Sequence, residues 1–212
     1  MTKKAKAAAI VTALEKQYPE AGCSLEYKEP CRLLIAVRLA AQCTDARVNL
    51  VTPVLFEKYP TLEALAAAKV SDIADIVKPC GLGNTKARDI VAMSEMLIAK
   101  YESVVPDTME ELLKLPGVGR KTANLIIGDV YGKPAVVCDT HCIRITGLMG
   151  LSDSKNPAQV EKQLREILPP DKSNDFCHRL VFHGRAVCKA RNPNCGMCNV
   201  SDLCDYALTK GR

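Results

Sequence analysis

The sequence predicts an all-α protein, and three observations carry that prediction. Aromatic residues make up only 4% of the 212 and tryptophan is absent, so a core drawn from the 48% of apolar residues must rest on Leu, Ile, Val and Ala. Those side chains suit helices packed on helices. Apolar residues recur at helical spacing in segment after segment with short polar breaks between, whereas no alternating segment of useful length is present, Ala135 to Cys138 coming nearest. The length suits one large domain or two small ones.

Taken in order, Ala5 to Gln17 is an Ala-rich helix stopped by Tyr18-Pro19. Cys31 to Gln42 is apolar nearly all round, as a buried central helix is, and Asp45 to Lys58 follows with Pro53 expected to distort it. Thr61 and Ser71 are expected to cap two short helices, Leu62 to Ala68 and Asp72 to Val77. The loop Cys80-Gly81-Leu82-Gly83-Asn84 leads into a long helix to about Lys100. Thr108 to Lys114, Arg120 to Tyr131, His141 to Leu148, Ala158 to Ile167 and Asp175 to Lys189 complete the helices.

Composition excludes some classes and leaves others open. No apolar run approaches the ~18 residues of a membrane span. Lys3, Lys4 and Lys6 are not followed by a long apolar stretch, so no signal peptide and no membrane association are expected, and the expected location is cytoplasmic. A net charge of +5, from 29 basic and 24 acidic residues, is compatible with a polyanionic partner without demanding one. Eleven cysteines, an odd number without a secretion signal, argue against a disulfide framework. Cys23, Cys31, Cys43, Cys80, Cys138, Cys142 and Cys177 are scattered and read as small buried apolar groups.

Four segments carry chemistry. In Leu115-Pro116-Gly117-Val118-Gly119-Arg120-Lys121-Thr122-Ala123, two glycines flank one apolar residue between helices. They permit a tight hairpin with positive φ. The backbone N–H groups of Gly117, Gly119 and Arg120 can then point outward at a helix N-terminus and bind a phosphate, while Val118 plugs inward. This is a helix-hairpin-helix element. Lys121 lies in the first turn of its second helix. A surface lysine is the plain alternative, but the positive end of the helix dipole works against an ammonium there, and a neutral amine can attack a sugar carbon.

The second segment is Val137-Cys138-Asp139-Thr140-His141. Asp139 reads as an N-cap, and it follows Lys121 by 18 residues, a spacing that can return it beside the lysine as an acid–base or electrostatic partner. His141 reads either as a cap-region histidine against backbone or as a DNA contact. The third is Cys188, Cys195, Cys198 and Cys204, spaced C-x6-C-x2-C-x5-C. Four thiolates at this spacing suit tetrahedral zinc or a [4Fe–4S] cluster, and the spacing itself does not choose between them. Lys189 and Arg191, between the first two ligands, make a small basic loop. The fourth is Arg38 to Asp45, where Gln42 either caps the preceding helix or enters a nucleic-acid duplex. Leu82, in its glycine-bounded loop, has the form of a wedge between bases.

Together, Leu115 to Asn124, Val137 to His141, His183-Gly184-Arg185 and the four-cysteine tail resemble endonuclease III, the iron–sulfur branch of the helix-hairpin-helix DNA glycosylases, over Pro30 to Tyr206. The resemblance implies a two-lobed fold: a six-helix barrel over 22–133, and a second lobe joining 1–21 to 134–212. It implies Lys121 as nucleophile, Asp139 as catalytic carboxylate, Gln42 and Leu82 as duplex-filling residues, and the four cysteines as ligands of a [4Fe–4S] cluster. It further implies removal of oxidised pyrimidines and cleavage of the abasic site by β-elimination through a lysine Schiff base. The partner is double-stranded DNA with damaged or abasic nucleotides, met by a monomer. Relatives often carry an aromatic where Gly83 stands, which changes the wedge loop. The monofunctional adenine glycosylases of the same superfamily lack the lysine and carry an acidic residue where Arg38 stands, and both features point away from them.

Overall fold

The structure, a computed structural model, describes residues 1–210. Among them are twelve α-helices and no strand. They divide into two compact units, Cys23–Tyr131 and Met1–Gly22 with the chain from Gly132 onward.

Helix α1 (Lys3–Gln17) belongs to the divided unit, and the continuous one runs from α2 to α8. Helix α2 (Pro30–Ala40) starts on a proline at its first turn, where the missing N–H has no helical partner to lose. It buries Leu33, Leu34, Ile35, Ala36, Val37 and Leu39 against α3 (Asp45–Lys58), α6 (Gly83–Tyr101) and α8 (Arg120–Asp129). Emptying one of those positions, as in Leu34→Ala, costs about 2–5 kcal/mol. The expected helix to Gln42 stops two residues early. Ala41 (φ −59°, ψ 113°) and Gln42 (φ 58°) turn the chain instead, closed by Cys43 N–H on Ala40 O at 3.0 Å. That is the pattern of a type II turn, whose third residue ordinarily needs glycine.

Pro53 is carried inside α3, and the helix keeps its expected bounds. Thr61 caps α4 (Leu62–Ala66) and Thr108 caps α7 (Met109–Leu112), each hydroxyl accepting a first-turn N–H. Ser71 does not cap α5 (Val70–Val77). That helix begins one residue before it, after Lys69, and the Ser71 hydroxyl meets Asp72. Helices α4 and α5 lie against α6, which offers them Ile90, Met93 and Leu97.

In the divided unit α1 packs on α10 (Pro157–Ile167) and α11 (Ser173–Ala186), and α9 (Thr140–Leu148) packs on α11. Ala135 to Cys138 is fully buried yet pairs with nothing as a strand, and it delivers Asp139 to the start of α9. Helix α11 ends at Ala186, short of the expected Lys189, and the cysteine-bearing chain continues through tight turns at Cys195–Met197 and Ser201–Leu203 into α12 (Asp205–Lys210). No helix of the described residues is long and apolar enough to cross a membrane.

Candidate functional site

The hairpin between α7 and α8 rests on an apolar plug. Leu115 and Val118 are buried, and Val118 N–H closes the turn on Leu115 O at 3.1 Å. Gly117 has φ +73°, and a Cβ there would stand 2.7 Å from the Arg38 side chain and 2.9 Å from Asp89 Oδ2. Two independent reasons thus demand glycine. Gly119 does not follow the expectation of positive φ. It is extended (φ −102°, ψ 175°), it caps α8 without a side chain, and a Cβ on it would meet nothing within 4 Å. The fold leaves room for a side chain there. Gly117, Gly119, Arg120 and Lys121 are all exposed, and the first-turn N–H groups of α8 form an anion-binding end. Lys121 is the second residue of that helix.

The hairpin sits on an ion pair. Asp89 Oδ2 accepts from both Nε and Nη2 of Arg38 at 2.6 Å, with the two side chains 24% and 13% exposed. Arg38 is therefore held by Asp89 close beneath Gly117.

Gln42 and Leu82 both lie at positive φ, 58° and 52°, a conformation that costs a non-glycine residue about 1–2 kcal/mol. Both are exposed, and 56% of the Leu82 surface faces solvent. Gln42 therefore does not act as a buried helix cap. An apolar side chain held outward on strained backbone is a combination that packing does not reward. Gly83 opens α6 just after it. A Cβ there would come 3.1 Å from Ala74 O, so the loop that carries Leu82 is pressed against α5.

In the other unit Asp139 is the N-cap of α9, its Oδ1 accepting from Cys142 N–H at 2.7 Å. His141 is half-buried. Its ring lies against the backbone of Gly184, where a Cβ would stand 2.2 Å from Nδ1. Burial holds this imidazole below its ordinary value, so it is neutral near pH 7. Lys121 and Asp139 fall in different units.

Cys188, Cys195, Cys198 and Cys204 line one small cavity, with Ile145, Leu148, Met149, His183, Val200 and Tyr206 on its walls. Four cysteines on one cavity could hold a tetrahedral zinc ion or a [4Fe–4S] cluster. Burial pushes the Cys188 and Cys198 thiols up. Their thiolates therefore need a cationic partner, which the iron of such a cluster supplies.

Two residues around this cavity, Arg144 and His183, were given no role by the sequence reading. Arg144 donates to Cys188 Sγ at 3.7 Å and to its carbonyl at 2.7 Å. His183 is fully buried, with Nε2 3.6 Å from Cys198 Sγ and Nδ1 3.3 Å from the Tyr18 hydroxyl. Burial, and then the Arg144 charge, push its imidazole down to about 4. The signal for His183 and Gly184 was present in His183-Gly184-Arg185: one histidine faces the cavity, and the glycine beside it makes room for His141. Lys189 and Arg191 are exposed on the loop that follows α11.

Comparison with known proteins agrees with this arrangement. The family model of the HhH-GPD superfamily of base excision DNA repair proteins matches residues 35–170. The iron–sulfur binding domain of endonuclease III matches 188–204, which begins and ends on the first and last of the four cysteines. The chain is 42% identical to endonuclease III of Synechocystis over 97% of its length and 94% of that protein. It is 38% identical to endonuclease III of Escherichia coli, over 96% of each. A solved endonuclease III trapped as a covalent intermediate with DNA superposes at a TM-score of 0.92, with 40% identity and complete coverage of both chains. A thermostable thymine-DNA glycosylase, 24% identical, superposes at 0.85 and shares the fold.

Proposed function

The chain belongs to the endonuclease III family of base excision DNA repair enzymes, and from that premise we propose that it removes oxidised or ring-saturated pyrimidines from duplex DNA and then cuts the strand through Lys121. Its cofactor is a [4Fe–4S] cluster, and we assign Cys188, Cys195, Cys198 and Cys204 as the ligands.

The damaged nucleotide leaves the stack, because C1′ cannot be reached inside it. Phosphates on either side are held by the N–H groups around Gly117, Val118, Gly119 and Arg120, and by Lys189 and Arg191, while His141 borders the sugar. Gln42 and Leu82 fill the space the nucleotide vacates. Lys121 Nζ attacks C1′, the glycosidic bond breaks, and the base departs with the bonding pair and a proton. Asp139 assists that step and steadies the positive charge on the sugar. The C1′–O4′ bond then opens, O4′ taking the bonding pair and a proton from the nitrogen, and the imine so formed makes a C2′ proton acidic. Its removal expels the 3′ phosphate by β-elimination, and water then frees Lys121. The enzyme acts as a monomer on chromosomal DNA in the cytoplasm.

The observation that carries this reading is Lys121, exposed in the first turn of the helix that a glycine hairpin opens toward a phosphate. The test is a duplex bearing one oxidised pyrimidine, incubated with the enzyme and a chelator. Release of the base together with a β-elimination end at the nick is expected. Base release with an uncut strand would contradict the lyase assignment.

A further inference from the structure

Lys86 is a lysine with no exposed surface. It lies in the first turns of α6, and the oxygens it meets are neutral carbonyls. Its Nζ donates to Leu39 O and to Cys80 O, each at 2.8 Å. Burying an ammonium is costly without a counter-charge, and burial indeed holds this amine below its ordinary value. An apolar side chain of the same length would fill the space without that cost, so the reason for lysine lies in what its two hydrogen bonds join.

Leu39 is in the last turn of α2, where carbonyls have no helical partner and the dipole favours a cation. Gln42 follows three residues later. Cys80 ends the short turn Lys78–Cys80, and Leu82 follows two residues later. One ammonium therefore holds the roots of the two turns that present Gln42 and Leu82. Both turns need holding, since each sets a non-glycine residue at positive φ, as the turn at Glu102 and Ser103 also does, a state that persists only where the surroundings over-determine it. One turn further along α6, Asp89 grips Arg38, the residue before Leu39. That grip carries on to Gly117 of the hairpin. Helix α6 thus fastens the end of α2 at two successive residues.

We infer that Lys86 is a positioning residue for base extrusion: it fixes the spacing between the Gln42 and Leu82 turns so that both side chains enter the duplex together. The inference rests on the reading of Gln42 and Leu82 given above. It gives Lys86 no contact with DNA.

The test compares Lys86→Met and Lys86→Gln with Leu82→Ala and the Lys86→Met/Leu82→Ala double variant, after cluster absorbance and melting have shown each to be folded. Single-turnover rates are measured on a duplex with the damaged base and on one with a ready-made abasic site. Fluorescence of 2-aminopurine opposite the lesion reports unstacking. Misplacing a positioning contact costs up to ~10²-fold. Lys86→Met should lose on that order with the damaged base, lose far less with the abasic site, and blunt the fluorescence rise. Lys86→Gln, whose amide still donates, should recover part of the loss. In the Leu82→Ala background Lys86→Met should add little, since both changes remove the same event. Should Lys86→Met not fold, Lys86→Gln alone must show the selective loss. Equal losses on both substrates, or losses that multiply in the double variant, would overturn the proposal. A Leu82→Ala that slows both substrates alike would first remove the reading of Leu82, and the role of Lys86 with it.

Discussion

The continuous unit presents its candidate site residues outward, whereas the divided unit gathers its four cysteines around a cavity and leaves Lys189 and Arg191 exposed. In Cys23–Tyr131, Gln42, Leu82, Gly119, Arg120 and Lys121 stand on turns and on a helix end, all exposed. Polar groups beneath hold the turns: the buried Lys86 under two of them, the half-buried Arg38–Asp89 pair under the third. In the divided unit four cysteines face a common cavity, His183 lines it beside Cys198, and Arg144 and Tyr18 hold Cys188 and His183 in turn. The contrast shows two ways to build a site on helices. Where the ligand is a large external polyanion, strain and exposure are accepted at the surface and stability comes from below. Where the ligand is internal, the chain closes around it.

The cluster side breaks most completely. Cys198→Ala should abolish the brown absorbance and loosen the 188–204 segment, seen as new proteolytic cuts there. A colourless wild-type protein isolated anaerobically with one zinc per chain would instead reject the [4Fe–4S] assignment. Next comes Asp139. Asparagine can still cap α9, so Asp139→Asn should fold and bind a non-cleavable abasic analogue. Its turnover should fall by ~10²–10⁴-fold, the usual worth of a positioned acid–base group. A rate near wild type would leave Asp139 only its cap.

The outward side can be sharpened by separating strain from function. Leu82→Gly removes a left-handed leucine, which costs about 1–2 kcal/mol, against a glycine entropy cost of about 0.5–1 kcal/mol. Calorimetry should find it as stable as wild type or more so, while base removal from duplex slows. A variant that is both less stable and fully active would mean that Leu82 serves the fold. The smallest effect belongs to the basic loop. Lys189→Glu or Arg191→Glu should weaken binding to all duplexes alike and flatten the salt dependence by about one unit of slope per lost contact. Identical salt titrations would remove the loop from the interface.

Most of the helices were legible because apolar spacing and caps such as Thr61, Thr108 and Asp139 are local signals. The departures have local causes too. Helix α2 stops short because a type II turn takes over at Ala41 and Gln42, and no glycine advertised it. Ser71 resembled a cap, yet the apolar face Ile73, Ala74 and Val77 drew the helix start to Val70. At the sites, motif residues were readable by spacing, whereas the residues that hold them were not. Lys86 pairs with a carbonyl 47 residues away, and Arg144 with a cysteine 44 residues on. Nothing in the chain marks such partners before it folds.

The central claim is that Lys121 is the nucleophile. Borohydride added during turnover on a duplex carrying an oxidised pyrimidine should reduce the imine and fix protein to DNA, with the adduct on the peptide containing Lys121. Lys121→Gln should abolish both trapping and strand cutting while still binding a non-cleavable abasic analogue. An adduct mapped to another residue, or full strand cutting by Lys121→Gln, would contradict the account.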